Sequence, residues 1–214
     1  MTPEELLRQG FIELKISCSE KQIKSFLTYI SELKKWNRAY NLTGLKTDDD
    51  IVIKHFLDSL LYIKALPSSS FHMADIGTGA GFPGLPVKIM MPDIALTLIE
   101  SSRKKAAFLR SIVRSLALKQ VTVLEERIEH LDSEFGQSFD VIVSRATFSI
   151  MEFLNVACPY ARSGGTLILN KGPKVLDELA ELEQYPAMKR CLKELLHCTL
   201  PITKSERNLV VLVC

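Results

Sequence analysis

His72 to Gly84 reads HMADIGTGAGFPG, an apolar run that delivers one acidic residue, Asp75, into a glycine-rich turn. Gly77, Gly79 and Gly81 fall at alternate positions. Without a Cβ they accept positive φ and let a ligand lie against main chain. Leu85 to Met91 follows as a helix with Pro86 in its first turn, where a missing N–H is harmless. Strand, glycine turn and helix in this order open a nucleotide-cofactor unit.

Downstream of this unit strands and helices alternate. Strand-like runs cover His72 to Ile76, Ile94 to Ile99, Val121 to Glu125, Phe139 to Val143 and Thr166 to Asn170. Lys104 to Leu116 is the clearest helix, with Phe108, Leu109, Ile112, Val113 and Leu116 on one face. Continuous apolar strands separated by helices predict a parallel sheet covered on both sides. Arg162-Ser163-Gly164-Gly165 reads as a turn into the fifth strand, and Pro186 should kink or divide the helix that follows Lys174. The last two strands, about Leu195 to Leu200 and Leu209 to Val213, have no crossover helix between them and should be antiparallel.

Upstream, Thr2-Pro3-Glu4-Glu5 and Ser19 with Gln22 are capping boxes that start two helices, the second ending near Trp36-Asn37. Thr47 with Asp48, Asp49 and Asp50 starts a third, its carboxylates at the positive end of the dipole. Leu66-Pro67-Ser68-Ser69-Ser70 ends that helix. Residues 1–66 thus form an N-terminal helical cap ahead of an α/β domain, 67–214. The cap reads most simply as a cover for one side of the domain, a reading complicated by Trp36, Asn37, Asn41 and Thr43, whose amides and hydroxyl are binding groups as well as turn formers. Spacing alone favours the covering role.

The 214 residues are 47% hydrophobic and 24% charged, ample for a substantial core. Twenty-seven basic against 25 acidic residues leave a net charge of +2, so any nucleic-acid surface must be local. No apolar run approaches a membrane span and there is no signal core, so a cytoplasmic chain is expected. Five scattered cysteines make a disulfide framework unexpected, and no Cys or His grouping has metal-ligand spacing. No metal is assigned.

Ligands of doubly wound sheets lie at the carboxyl ends of the strands. Those ends carry Asp75 and the glycine loop, Glu100, Glu126 to Glu129, Ser144-Arg145 and Asn170-Lys171-Gly172. Glu100 suits a ribose, whose diol donates two hydrogen bonds to a carboxylate. Gly79-x-Gly81-x-x-Gly84 with Glu100 also fits the dinucleotide fingerprint, which keeps an NAD-dependent oxidoreductase in view. Two features favour S-adenosylmethionine instead. Asp75 attracts an ammonium and repels a pyrophosphate. The terminal antiparallel pair, together with the lack of a second domain for a hydride acceptor, is the pattern of a methyltransferase sheet.

The motifs Trp36-Asn37, Asn41-Leu42-Thr43, His55 with Asp58-Ser59-Leu60, the Asp75 to Gly84 loop, Arg127-Ile128-Glu129, Ser144-Arg145-Ala146, Lys171-Gly172 and Glu206-Arg207-Asn208-Leu209 occur in order along the chain. Together they resemble the small-subunit ribosomal RNA guanine-N7 methyltransferases, historically glucose-inhibited division protein B. The resemblance implies a class I S-adenosylmethionine-dependent fold, Rossmann-like, with a mainly parallel seven-stranded sheet. It implies a cofactor site at Gly77, Gly79 and Phe82, with Glu100 and Ser101 at the ribose, Ile128 and Glu129 around the adenine and Arg145 lining the pocket. The substrate it implies is a guanine of 16S rRNA, position 527 in the customary numbering, methylated by a monomer on the RNA or the small ribosomal subunit.

Guanine N7 carries a lone pair and no proton, so no general base is expected. Alignment of methyl and nucleophile carries the catalysis. Lys171 and Arg207 then hold phosphate or the guanine O6 edge, and Arg145 bridges cofactor and base. The Arg103-Lys104-Lys105 run, with Arg110 and Arg114, is a solvated helix face or part of the RNA footprint. A non-enzymatic ribosome-assembly factor with a vestigial loop is the other alternative, against which the intact Asp75, glycine loop and Glu100 argue.

Overall fold

The computed structural model describes residues 1–45, 47–145, 147–173 and 175–214. Two long helices come first. α1 (Pro3–Leu14) and α2 (Glu20–Tyr40) both start in the expected capping boxes, Thr2 with Glu5 and Ser19 with Gln22. α2 runs past Trp36-Asn37 because nothing stops it before Asn41, which caps it in the left-handed region at φ 50°. Thr47 then caps α3 (Asp48–Asp50), which continues as a π-helical stretch (Ile51–Leu57), α4 (Asp58–Leu60) and a 3-10 turn (Leu61–Ala65). A π segment inside a helix shifts the faces of the residues after it and is frequent at functional sites. Here it precedes Asp58.

β1 (His72–Ile76), α5 (Gly84–Met90), β2 (Ala95–Ile99), α6 (Arg103–Ser115), β3 (Val121–Leu124), β4 (Phe139–Arg145), α7 (Ile150–Ala157), β5 (Ala161–Lys171), α8 (Val175–Leu182), α9 (Pro186–Lys189), β6 (Leu192–Thr199) and β7 (Glu206–Val213) complete the chain. The seven strands lie in the order β3-β2-β1-β4-β5-β7-β6. β1 to β5 are parallel and β7 joins β5 and β6 antiparallel, as expected. The helix expected after Lys174, a residue outside those described, is divided as expected into α8 and α9, the latter starting at Pro186.

Alternation along the strands sorts the core. Met73, Leu98, Val141, Val143 and Ile168 face the N-terminal helices and α6 in one buried cluster, while Ala74, Ile76, Ile142, Leu167 and Leu169 face α7 and α8 in another. Asp75, two residues from Met73, therefore points at the helical side.

Two expectations are corrected. β5 begins at Ala161, not Thr166, and the Arg162-Ser163-Gly164-Gly165 turn is an irregularity within it: Ala161 pairs with Phe139 but Thr166 with Val141. Gly164 takes φ 75° there. Second, Cys158 and Cys214 form a disulfide across 56 residues. Antiparallel pairing of β5 with β7 sets the Cys214 amide on the Gly165 carbonyl at 3.1 Å, close to the segment that carries Cys158. Cysteine spacing contains no trace of that pairing. Cys198 is buried, as expected of a core thiol.

Candidate active site

At the tips of β1 and β2 the backbone does most of the building. Gly77, Gly79 and Gly81 all have positive φ, and the Gly77 and Thr78 amides donate to the Ile99 carbonyl at 2.9 and 3.3 Å. A Cβ on Gly81 collides with Tyr29 and Leu85, and one on Gly84 comes within 2.8 Å of Asp75. A Cβ on Gly79 meets nothing within 4 Å, so this glycine faces open space and leaves its backbone approachable.

Asp75 is fully buried. Its Oδ2 accepts from Thr78 Oγ1 at 2.6 Å and from the Gly84 amide at 2.7 Å, tying the two ends of the loop together. Its Oδ1 is buried without a hydrogen-bond partner, the one such side-chain atom among the described residues. Burial pushes the carboxyl up to about 7 despite the two hydrogen bonds that favour its charge. Glu100 Oε2 accepts from the Gly79 amide at 2.9 Å and Oε1 from the Ser102 amide at 2.8 Å. Each oxygen keeps a lone pair for a further donor.

A cavity of about 190 Å³ opens beside these groups, lined by Gly77, Glu100, Ser101, Ile128, Glu129 and Phe148 among others. Five of the nine expected cofactor residues, Gly77, Glu100, Ser101, Ile128 and Glu129, thus meet at one cavity. Gly79 binds Glu100 at its edge. Asp75 lies beneath the loop, and Phe82 and Arg145 lie on the other side. Ala146 of the Ser144-Arg145-Ala146 motif lies outside the described residues. A roomier cleft of about 420 Å³ beside α2 is distant from the strand tips, and its Lys34 is paired with Asp48 at 2.5 Å.

Phe82 is buried in an aromatic stack, 4.2 Å from the His55 ring and 5.4 Å from Tyr29. Tyr29 Oη donates to the Ala80 carbonyl at 2.5 Å, fastening the glycine loop to α2. The Arg145 guanidinium lies 5.3 Å over Phe82, donates to the Lys54 carbonyl and to Asp58, and reaches His55 Nδ1 at 2.8 Å. Arginine has no acceptor, so His55 Nδ1 is the lone-pair nitrogen and its proton sits on Nε2, which donates to Thr43 Oγ1 at 2.8 Å. Burial and Arg145 push this imidazole down to about 3, so it stays neutral. Asn37 braces the same loop, exchanging hydrogen bonds with both the amide and carbonyl of Thr43. In the structure those polar groups fold the turn.

The three cations expected to position substrate are all engaged. Arg145 and Arg207 both pair with Asp58, and Lys171 pairs with Glu178 at 2.8 Å while donating to the Phe148 carbonyl. Arg110 is drawn off to Glu125. Lys104 lies 6.0 Å over the exposed Tyr40 ring. His55 and Asp58 stand in the motifs of the family resemblance, with no role legible for them in the sequence. Regular helical spacing puts Asp58 opposite Phe56, Leu60 and Ile63, on the side of Lys54, so no local signal points to its burial.

A family model described as GidB, rRNA small subunit methyltransferase G, matches residues 22–210. The ribosomal RNA small subunit methyltransferase G of Carboxydothermus hydrogenoformans is 40% identical, the match covering 97% of this chain and 90% of that one. Its namesake from Geobacter sp. is 37% identical over 98% and 96%. Among solved structures, a SAM-dependent methyltransferase from Aquifex aeolicus superposes with a TM-score of 0.55 at 18% identity, covering 77% of this chain and 93% of that one. A predicted O-methyltransferase from Agrobacterium tumefaciens gives 0.57 at 22%, over 73% and 79%. These two share the fold. The site fits S-adenosylmethionine on the structure's own terms: an unpaired buried carboxylate oxygen beneath the loop, a glycine face open to a ligand, and lone pairs on Glu100 for a diol. The chain belongs to the GidB family of small-subunit ribosomal RNA methyltransferases, which use S-adenosylmethionine as methyl donor.

Proposed function

We propose that the chain methylates N7 of a guanine in 16S rRNA, the one at position 527, acting as a cytoplasmic monomer. The observation that carries this reading is the state of the ionisable groups at the strand tips. His55 has both ring nitrogens committed and stays neutral, Asp75 is locked under the loop, and Arg145, Lys171 and Arg207 are held as hydrogen-bond donors in ion pairs. Such a site suits a nucleophile that brings its own lone pair.

S-adenosylmethionine, when bound, supplies an electrophilic sulfonium methyl. Gly77, Gly79, Glu100, Ser101, Ile128 and Glu129 hold the cofactor, with Asp75 setting the loop and offering negative charge beneath it. Arg145, Lys171 and Arg207 align the RNA, and Phe82 supports Arg145 from below. Residues 1–66 act as a helical cap on the 67–214 methyltransferase domain, a division supported by the confinement of every described strand to the second segment. In this arrangement catalysis consists of orientation and exclusion of water.

Labelled S-adenosylmethionine and small subunits lacking the modification, digested to nucleosides after reaction, test the reading. Label in 7-methylguanosine is expected. Label in another nucleoside overturns the choice of atom, and no label with cofactor bound overturns the substrate. Calorimetry in which NAD binds and S-adenosylmethionine does not would restore the oxidoreductase alternative.

A further inference from the structure

Four residues far apart in the chain converge at the tips of β4, β5 and β7. Asp58, only 5% exposed, accepts from Arg207 Nε on Oδ1 at 2.7 Å, and from Arg145 Nη1 and Asn170 Nδ2 on Oδ2, each at 3.3 Å. One carboxylate therefore spaces two guanidinium groups on its opposite oxygens. Among the described residues both arginines are gripped on one side only. Arg145 uses Nη1 for Asp58 and the Lys54 carbonyl and one Nη2 proton for His55, which leaves Nε–H and a second Nη2 proton. Arg207 uses Nε and one Nη1 proton, the latter on the Glu206 carbonyl, which leaves three N–H donors. Their side chains are 17% and 26% exposed, so solvent and ligand reach them.

The charges do not cancel. At Asp58 two guanidinium groups meet one carboxylate; His55 is neutral, Lys171 is matched by Glu178, and Asp75, on whose carboxyl Arg145 also acts, is pushed up to about 7 by burial and so offsets the surplus only in part. Buried ion groups are usually balanced, and a surplus beside free, forked donors fits a singly charged oxyanion. A phosphodiester has that charge and that bidentate geometry.

We propose that Asp58 is a positioning residue that sets Arg145 and Arg207 as a seat for one backbone phosphodiester of the RNA strand. The inference rests on the RNA methyltransferase reading above. Asp58 touches no substrate; it acts through the two arginines. The helical segment carrying Asp58 thereby links the cap to RNA alignment.

The test is a double-mutant cycle on the full chain, reading equilibrium affinity for a single-stranded RNA fragment containing the target guanine, its salt dependence, and affinity for S-adenosylmethionine. Arg207→Ala is expected to weaken RNA binding about tenfold and to lower the slope of log affinity against log salt by about 0.7, with cofactor affinity unchanged. Asp58→Asn should weaken RNA binding comparably. In the Asp58→Asn background Arg207→Ala should then cost less than about twofold. Equal costs of Arg207→Ala in both backgrounds, or an unchanged salt slope, overturn the proposal. Should Asp58→Asn not fold, Arg207→Lys decides: it keeps the charge but loses the fork, and RNA affinity equal to wild type overturns the seat. Failure of the wild-type chain to label any RNA would instead break the functional reading, and is recorded separately in the transfer assay.

Discussion

The two ends of the strand-tip edge are made of different material. Around β1 and β2 the site is main chain: amides of Gly77, Thr78, Gly79, Gly84 and Ser102, bound to the Ile99 carbonyl or to the carboxylates of Asp75 and Glu100. Around β4, β5 and β7 it is long side chains, Asp58, Arg145 and Arg207, reaching one another across 87 and 149 residues of sequence. A backbone site is contiguous, so it tolerates little change and is specified locally. A side-chain site depends on tertiary packing to bring its members together.

Breaking the backbone side should give the largest effect. Gly81 sits at φ 97° with Tyr29 and Leu85 where a Cβ would go. Gly81→Ala should cost about 3 kcal/mol or more of stability and abolish measurable cofactor binding, read by denaturant titration and calorimetry. Cofactor affinity within tenfold of wild type would show that the loop has slack.

Next in size, the two sides should respond to pH with opposite sign. The folded-state pKa of Asp75, about 7, lies above its ordinary value of 3.8. The native state therefore holds the extra proton, and this contribution to stability, full below pH 3.8, is lost as pH rises towards 7. His55 is depressed to about 3 from 6.5, so the unfolded chain holds the proton and stability is lost as pH falls from 6.5 towards 3. Unfolding free energy against pH should lose its falling component in Asp75→Asn and its rising component in His55→Gln. Matching curves for the two variants would refute the assignment.

Smaller again is Tyr62→Phe. Tyr62 Oη donates to the Ser144 carbonyl at 2.6 Å and accepts from the Asn170 amide at 3.1 Å, pinning the helical segment to the tips of β4 and β5. Leaving both groups unpaired should cost about 1–3 kcal/mol and loosen RNA alignment more than cofactor binding. The smallest effect is expected at the exposed α6 start. Lys104→Glu with Lys105→Glu should weaken RNA binding about tenfold or less at moderate salt and flatten its salt dependence. An unchanged slope returns that run to an ordinary solvated face.

The same contrast explains what was legible in the sequence. Asp75 to Gly84 and Glu100 could be read at the strand tips because turn chemistry and strand periodicity act within a few residues, whereas a role for Ile128-Glu129 came only with the family resemblance. The capping boxes at Thr2 and Ser19 and the division at Pro186 were legible for the same reason. The hub at Asp58 was not, because a helical wheel puts it on the polar side with Lys54, and its partners lie on three strands. The Cys158–Cys214 disulfide and the early start of β5 depend likewise on which strands become neighbours, and local pattern is silent on that. Phe82 sits in the loop motif, yet it packs with His55 and Tyr29 and is not among the residues lining the cavity, a placement set by tertiary packing against α2 and the helical segment.

The central claim is that one edge of the sheet carries two separable halves, and a crossed measurement tests it most directly. Affinities for S-adenosylmethionine and for the RNA fragment would be determined in Glu100→Ala and in Arg207→Ala. Glu100→Ala, which removes two charge-assisted hydrogen bonds, should lose about a hundredfold in cofactor affinity with RNA binding retained, while Arg207→Ala should do the reverse. Parallel loss of both affinities in both variants would contradict the account, because it would mean that the two halves form a single cooperative site.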